Sequence, residues 1–192
     1  MRDENRAATQ KCAALASTLT VVDIQERLGE AMPGKVLNRV LQNTCLLVRA
    51  AEILDVPVIR TEQYPKGLGK THSQIESVLP TTTENFEKTT FSCADVEGYS
   101  NHLKDSDRGQ VILSGMEAHI CVLQTALDLD AEGYQVFVAE DAICSRRLEN
   151  YQNALDRLRQ CEINVVSSES IVFEWLGNAT HPGFKTIQSL LR

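Results

Sequence analysis

Apolar residues recur along the chain in two alternating rhythms. Short runs rich in Val, Ile and Leu are separated by longer stretches in which apolar residues return every three or four positions. The first rhythm predicts strands buried on both faces, the second amphipathic helices. A first strand covers Leu19-Val22 and ends on Asp23. After Pro33-Gly34, a helix carries Val36, Leu37, Val40, Leu41, Leu47, Val48, Ala51 and Leu54. A second strand spans Val56-Thr61, and Glu62 to Gly69, with its Pro and Gly residues, reads as a loop. Residues 70–85 are polar and Thr-rich. They lead into a short strand and turn over Phe86-Cys93, then a weak helix near Val96 to Leu103.

The strand Val111-Leu113 stops at Ser114-Gly115, and a helix follows on Ile120, Leu123, Ala126, Leu127 and Ala131, closed by Gly133. Gln135-Ala139 is another strand, ended by Glu140-Asp141. Then come a helix on Tyr151, Ala154, Leu155 and Leu158, and a strand at Ile163-Val166. Ser168 is placed as the cap of a helix bearing Ile171, Val172 and Trp175, and Pro182 opens a last helix through Phe184, Ile187 and Leu190. Such alternation predicts a parallel sheet covered by helices on both sides, with right-handed crossovers.

Composition narrows the class. With 192 residues, 43% hydrophobic and 23% charged, the chain can bury one large core, so a single domain over 15–192 is expected behind a polar arm at 1–14. A net charge of −7, with Arg146-Arg147 the only dense basic pair, argues against nucleic acid or anionic membrane as a partner. No apolar run approaches the ~20 residues needed to span a bilayer, and the first eleven residues lack the apolar stretch of a secretory signal. The cysteines at 12, 45, 93, 121, 144 and 161 form no C-x-x-C pair. They read as reduced thiols in an intracellular reducing compartment, the cytoplasm first.

In parallel sheets of this kind, ligands bind beyond the carboxyl ends of the strands, where strand order reverses. Asp23, the Glu62 to Tyr64 loop, Lys88 and the stretch Gly115 to Cys121 all fall near such ends. Cys121 sits in the first turn of its helix, where unpaired N–H groups and the positive dipole end favour a thiolate. Each residue also has a purely structural reading: Cys121 as a small buried hydrophobe, Asp23 as a turn starter, Lys88 as solvated surface.

Three segments resemble the signatures of the isochorismatase-like cysteine hydrolases: Val22-Asp23-Ile24-Gln25-Glu26-Arg27, Phe86-Glu87-Lys88-Thr89-Thr90-Phe91-Ser92, and Ser114-Gly115-Met116-Glu117-Ala118-His119-Ile120-Cys121-Val122. The loop Thr61 to Gly69 and the tail at Ser168-Glu169-Ser170 and His181-Pro182 are similar to isochorismatase-domain-containing proteins. The resemblance implies a three-layer α/β/α fold with a mostly parallel, Rossmann-like sheet of about six strands. It places Asp23, Lys88 and Cys121 at the catalytic positions, and a cis peptide at Met116-Glu117 that would aim the Glu117 and Cys121 amides at one point as an oxyanion hole. Gln63, Tyr64, Phe91, Glu117 and His119 are the candidates for substrate contact, and Asp141 is read as a structural turn residue. The implied activity is cleavage of a small amide, carbamoyl or related acyl substrate through an acyl-enzyme. Isochorismate fits less well, because cleaving an enol ether requires no thiol nucleophile.

Relatives that act as nicotinamidases bind a metal with an acid and histidines after the second strand. Here Glu62-Gln63-Tyr64 stands there and His72 has no companion, so neither metal nor cofactor is expected. A homo-oligomer is implied by analogy, with Trp175 or the last helix as interface material, although a place in the core is the stronger reading of these residues. Similar trypanosomatid chains described as mitochondrion-associated ribonucleases keep an RNA-linked role and a mitochondrial location as alternatives. A non-catalytic scaffold retaining the fold is another. If Lys88 and the helix end lowered the thiol pKa by about two units from ~8.5, the thiolate fraction would rise about 25-fold. Lower nucleophilicity would remove roughly 8-fold of that, leaving proton handling by Asp23 as the larger expected term, on the order of 10²–10⁴.

Overall fold

The computed structural model describes residues 11–191; residues 1–10 of the expected arm lie outside these. The rest of the arm is seated on the body. Cys12 is buried and its amide donates to Glu174 (2.6 Å), and a 3₁₀ turn at Ala14–Ala16 leads into the first strand.

The elements in chain order are β1 (Ser17–Val22), α1 (Glu26–Glu30), α2 (Gly34–Ile53), β2 (Val58–Gln63), α3 (Pro65–Leu68), α4 (Ser73–Glu76), β3 (Glu84–Lys88) and α5 (Glu97–Asp105). Then follow β4 (Gln110–Met116), a single π turn (Ala118–Val122), α6 (Leu123–Ala131), β5 (Gln135–Cys144), α7 (Leu148–Gln160), β6 (Asn164–Val166), α8 (Ser168–Leu176) and α9 (Phe184–Leu190). The strands form one six-stranded sheet in the order β3-β2-β1-β4-β5-β6, with every pairing parallel.

Alternate side chains of each strand enter opposite layers, as the two-residue period of a strand requires. Leu19, Val21, Ile112 and Phe137 pack with Val40, Leu47 and Val48 of α2 and Ile171, Val172 and Trp175 of α8. Val22, Val111, Leu113, Val136 and Val138 pack with Tyr99 and Leu103 of α5, Leu123 and Ala126 of α6, and Leu155 and Leu158 of α7. The result is three layers, α/β/α. Trp175 belongs to the first core, 5% exposed and donating to Ser17 Oγ at 3.0 Å, so it is packing material and not an interface residue.

Several boundaries differ from the sequence expectation. β4 does not stop at Ser114-Gly115 but continues to Met116, and β5 runs through Glu140-Asp141 to Cys144. Between Leu113 and Gly115 the β4–β5 register jumps, from Val138 to Ile143. Carbonyls along the displaced stretch are met by side chains: Glu140 by Tyr151 Oη, Asp141 by Asn43 Nδ2 and Ile143 by Arg39 Nη2. The segment 62–69 is not all loop, since it holds the end of β2 and the turn α3. The cap of α8 is Ser167, accepting from the Ser170 amide; Ser168, one residue inside, gives its amide and hydroxyl to the Asp141 carboxylate, both at 2.8 Å. Asp141 therefore ties β5 to α8 from within a strand rather than from a turn.

Candidate active site

Strand order reverses between β1 and β4, and the chain leaves their carboxyl ends for opposite faces of the sheet, toward α2 after β1 and toward α6 after β4. Residue 115 must be glycine for β4 to lie against β1. Its φ is +130°, and a Cβ would stand 2.0 Å from the Val22 carbonyl oxygen. Asp23 follows β1 directly in the left-handed region (φ 51°), which Asp tolerates better than most residues. The Met116–Glu117 peptide after β4 is cis, and the π turn behind it carries Cys121 at the head of α6.

Lys88, the last residue of β3, reaches across the end of β2. Its Nζ lies 2.6 Å from Asp23 Oδ2, and both side chains are shut off from solvent. The ammonium also donates to Gln63 Oε1 (2.8 Å), the Phe91 carbonyl (3.0 Å) and the Thr90 carbonyl (3.3 Å). Burial alone would pull the lysine down. The neighbouring Asp23, with Cys93 and Cys121, outweighs it and holds the group above its ordinary value.

Cys121 is hydrogen-bonded to the same Asp23 carboxylate. Burial and the adjacent carboxylate push its thiol well up, while Lys88 pulls the other way. The expected two-unit depression is therefore corrected. The helix end and the lysine lose to desolvation and to Asp23, so the thiol form of Cys121 is favoured over the thiolate.

Of the candidates for substrate contact, Gln63 is spent within the site, its Nε2 donating to the Thr89 carbonyl (3.0 Å) while its oxygen takes Lys88. Glu117 is buried, its carboxylate accepting from the Arg146 amide at 3.0 Å. His119 has its two ring nitrogens on Ser145 Oγ (2.9 Å) and Asn150 (3.2 Å). Tyr64 and Phe91 are more than half exposed. Their backbones bind Lys88 directly, Tyr64 N donating to the Lys88 carbonyl and the Phe91 carbonyl accepting from its Nζ. A cavity of about 370 Å³ lined by Tyr64, Pro65, Lys66, Glu87, Lys88 and Thr89 opens beside them. A larger hollow of about 510 Å³, lined by Asn43, Cys45, Arg49 and Asp141 among others, includes none of Asp23, Lys88 and Cys121.

Sequence reasoning passed over Thr61, whose hydroxyl donates to Asp23 Oδ1 (2.8 Å), and Cys93, whose thiol donates to that hydroxyl (3.7 Å). A Thr in a strand and a Cys in a turn are ordinary residues, and only the fold brings them to Asp23. The donors after β2 do not fit a metal. Glu62 Oε1 accepts the Thr71 amide and hydroxyl, both at 2.7 Å, and among the described residues no cluster of three His, Cys, Asp or Glu side chains could hold one. Nor is any described helix long and apolar enough to cross a membrane.

A fully parallel three-layer sheet with a thiol, a carboxylate and an ammonium at its switch point defines an α/β protein of the isochorismatase-like hydrolase fold. The chain belongs to the isochorismatase family, whose domain signature, described as "Isochorismatase domain", matches residues 17–170. It is 38% identical over 178 residues to isochorismatase family protein 1B of Dictyostelium discoideum, covering 89% of this chain and 84% of that one. It is 36% identical over 187 residues to isochorismatase domain-containing protein 2 of Danio rerio, with 96% and 91% covered. Among solved structures, the MAR1 ribonuclease of Caenorhabditis elegans superposes with a TM-score of 0.89 at 36% identity, over 94% of this chain and 92% of the other.

Proposed function

We propose that this protein is a cysteine hydrolase that opens the C–N bond of a small amide, carbamoyl or related acyl compound. The observation that supports this reading is a solvent-free Asp23–Lys88 pair whose carboxylate also receives the Cys121 thiol proton. As Cys121 Sγ attacks the carbonyl carbon, Asp23 takes the thiol proton and the C–S bond forms. The oxyanion settles between the Glu117 and Cys121 amides. Asp23 passes its proton to the leaving nitrogen, the C–N bond breaks and the amine departs. Water, giving a proton to Asp23, then adds to the thioester and expels the sulfur, which recovers the proton. Lys88 stays protonated throughout and balances the carboxylate charge. Tyr64 and Phe91, exposed at the mouth, flank the acyl group.

The similarity to a protein named a ribonuclease gives an RNA-cleaving reading a place. The site offers one carboxylate and one thiol, and the −7 charge opposes phosphate binding. One experiment addresses both readings: ammonia release from a panel of small primary amides and carbamoyl compounds, and cleavage of single-stranded RNA, by wild type and Cys121→Ala. Amide turnover by the wild type and none by Cys121→Ala is expected. Near wild-type amide turnover in Cys121→Ala overturns the proposal, and RNA cleavage without amide turnover replaces it.

A further inference from the structure

We infer that Thr61 is a positioning residue for the reaction, one that turns Asp23 toward the Cys121 sulfur. The inference rests on Asp23 acting as the base proposed above. Thr61 grips Asp23 twice: its carbonyl accepts the Asp23 amide (3.2 Å) and its hydroxyl donates to Oδ1 (2.8 Å). An ionised carboxylate has nothing to donate, so the hydroxyl proton belongs to this bond. The lone pairs left on Oγ1 accept the Cys93 thiol at 3.7 Å. That thiol, pushed up to about 11 by burial, keeps its proton across the neutral range. The Cys93 amide in turn donates to Thr125 Oγ1 at 2.9 Å, one helical turn beyond Cys121. Thr125, Cys93, Thr61 and Asp23 thus link base to nucleophile from behind, where neither touches substrate.

Each carboxylate oxygen of Asp23 has its own donor, Thr61 on Oδ1 and Lys88 on Oδ2. With both held, the carboxylate plane cannot rotate. Without the hydroxyl, Oδ1 loses the donor that fixes it, in a pocket where Thr61 is 1% exposed, and the carboxylate turns toward the ammonium and away from the sulfur. The proton transfer slows while the cavity beside Tyr64 and Lys88, which Thr61 does not line, stays as it was.

Alkylation of Cys121 by iodoacetamide, itself a small primary amide, tests this at neutral pH when followed peptide by peptide with the other cysteines as internal controls. In Thr61→Val the maximal rate at Cys121 is expected to fall about 10- to 100-fold, the scale of a misplaced catalytic group, with the half-saturating concentration unchanged. Thr61→Ser, which restores the donor, recovers most of the rate. If Thr61→Val does not fold, Thr61→Ala removes the same hydroxyl and is read against Thr61→Ser. A wild-type rate in the hydroxyl-free variant, or equal slowing in Thr61→Ser, overturns the inference. Asp23→Asn separates the two levels: if it is slow while Thr61→Val is fast, only the role of Thr61 fails. If Asp23→Asn alkylates like wild type, Asp23 is not the base and both readings fall.

Discussion

The thiol of Cys121 shows how local and global electrostatics compete for one atom. Its place at a helix start favours a thiolate, and a motif-level reading adds the lysine to that side. The folded site sets a buried carboxylate beside the same sulfur and removes water, and those effects are larger. On the proposed mechanism, reactivity is then a matter of a proton handed over during attack, not of anion stored beforehand. The counter-charge is Lys88, enclosed with Asp23 at 2.6 Å. Removing one member of such a pair strands the other without water. Lys88→Ala is therefore expected to cost about 3–5 kcal/mol of stability, read as a lowered urea midpoint near pH 7. A loss well under 1 kcal/mol would mean that the pair is open to solvent.

Among the elements, β4 carries the sharpest constraint. Gly115→Ala would place a Cβ 2.0 Å from the Val22 carbonyl, a backbone atom that cannot swing aside, at φ +130°. It is expected to cost more than the 1–3 kcal/mol typical of overpacking or to prevent folding, as measured by denaturant unfolding. A stable, cooperatively folded variant would show that β1 and β4 can part there. The order of strands and helices was legible in the sequence because the buried strands are continuous apolar runs, and the meeting of Asp23, Lys88 and Cys121 because three motifs stand in order. The ends of β4 and β5 were not. Ser114-Gly115 and Glu140-Asp141 look like stop signals to a propensity argument, whereas tertiary pairing carries both strands past them. The Ser167 cap and the α3 turn were missed by a residue or a few because neighbouring residues carry equal local signals. Thr61 was invisible for another reason: its role lies in a contact 38 positions away in sequence, with Asp23.

At the scale of the whole molecule, five of the six thiols are buried and unpaired. Burial is the first cause raising each: Cys93 is pushed up to about 11 and Cys144 to about 12 from 9.0, and Cys12, Cys45 and Cys121 also move up. The unfolded chain loses these protons from about pH 9, while the native protein keeps them. The unfolded state then binds fewer protons, so stability falls as pH rises from about 9 toward 12, by up to about 1.4 kcal/mol per pH unit for each such thiol. Under reducing conditions the urea midpoint is expected to hold steady between pH 7 and 8 and to drop by pH 10.5, less steeply in Cys144→Ala. A midpoint independent of pH would show that the thiols titrate freely in the native state.

The sheet order has a further consequence. Asp23, Thr61 and Lys88 all arise from the half of the chain that forms β3-β2-β1, and Cys121 from the half that forms β4-β5-β6. The two halves meet along one seam, where Ser17 pairs with Gln110 and Val22 with Gly115. During synthesis Asp23 and Lys88 emerge first, ahead of the sulfur that the proposed mechanism has them serve. On the proposed mechanism, the thiol that follows gains its base only when β4 slots in beside β1. Activation of Cys121 by that mechanism therefore waits on the seam between β1 and β4, and the closed sheet is the condition for the chemistry.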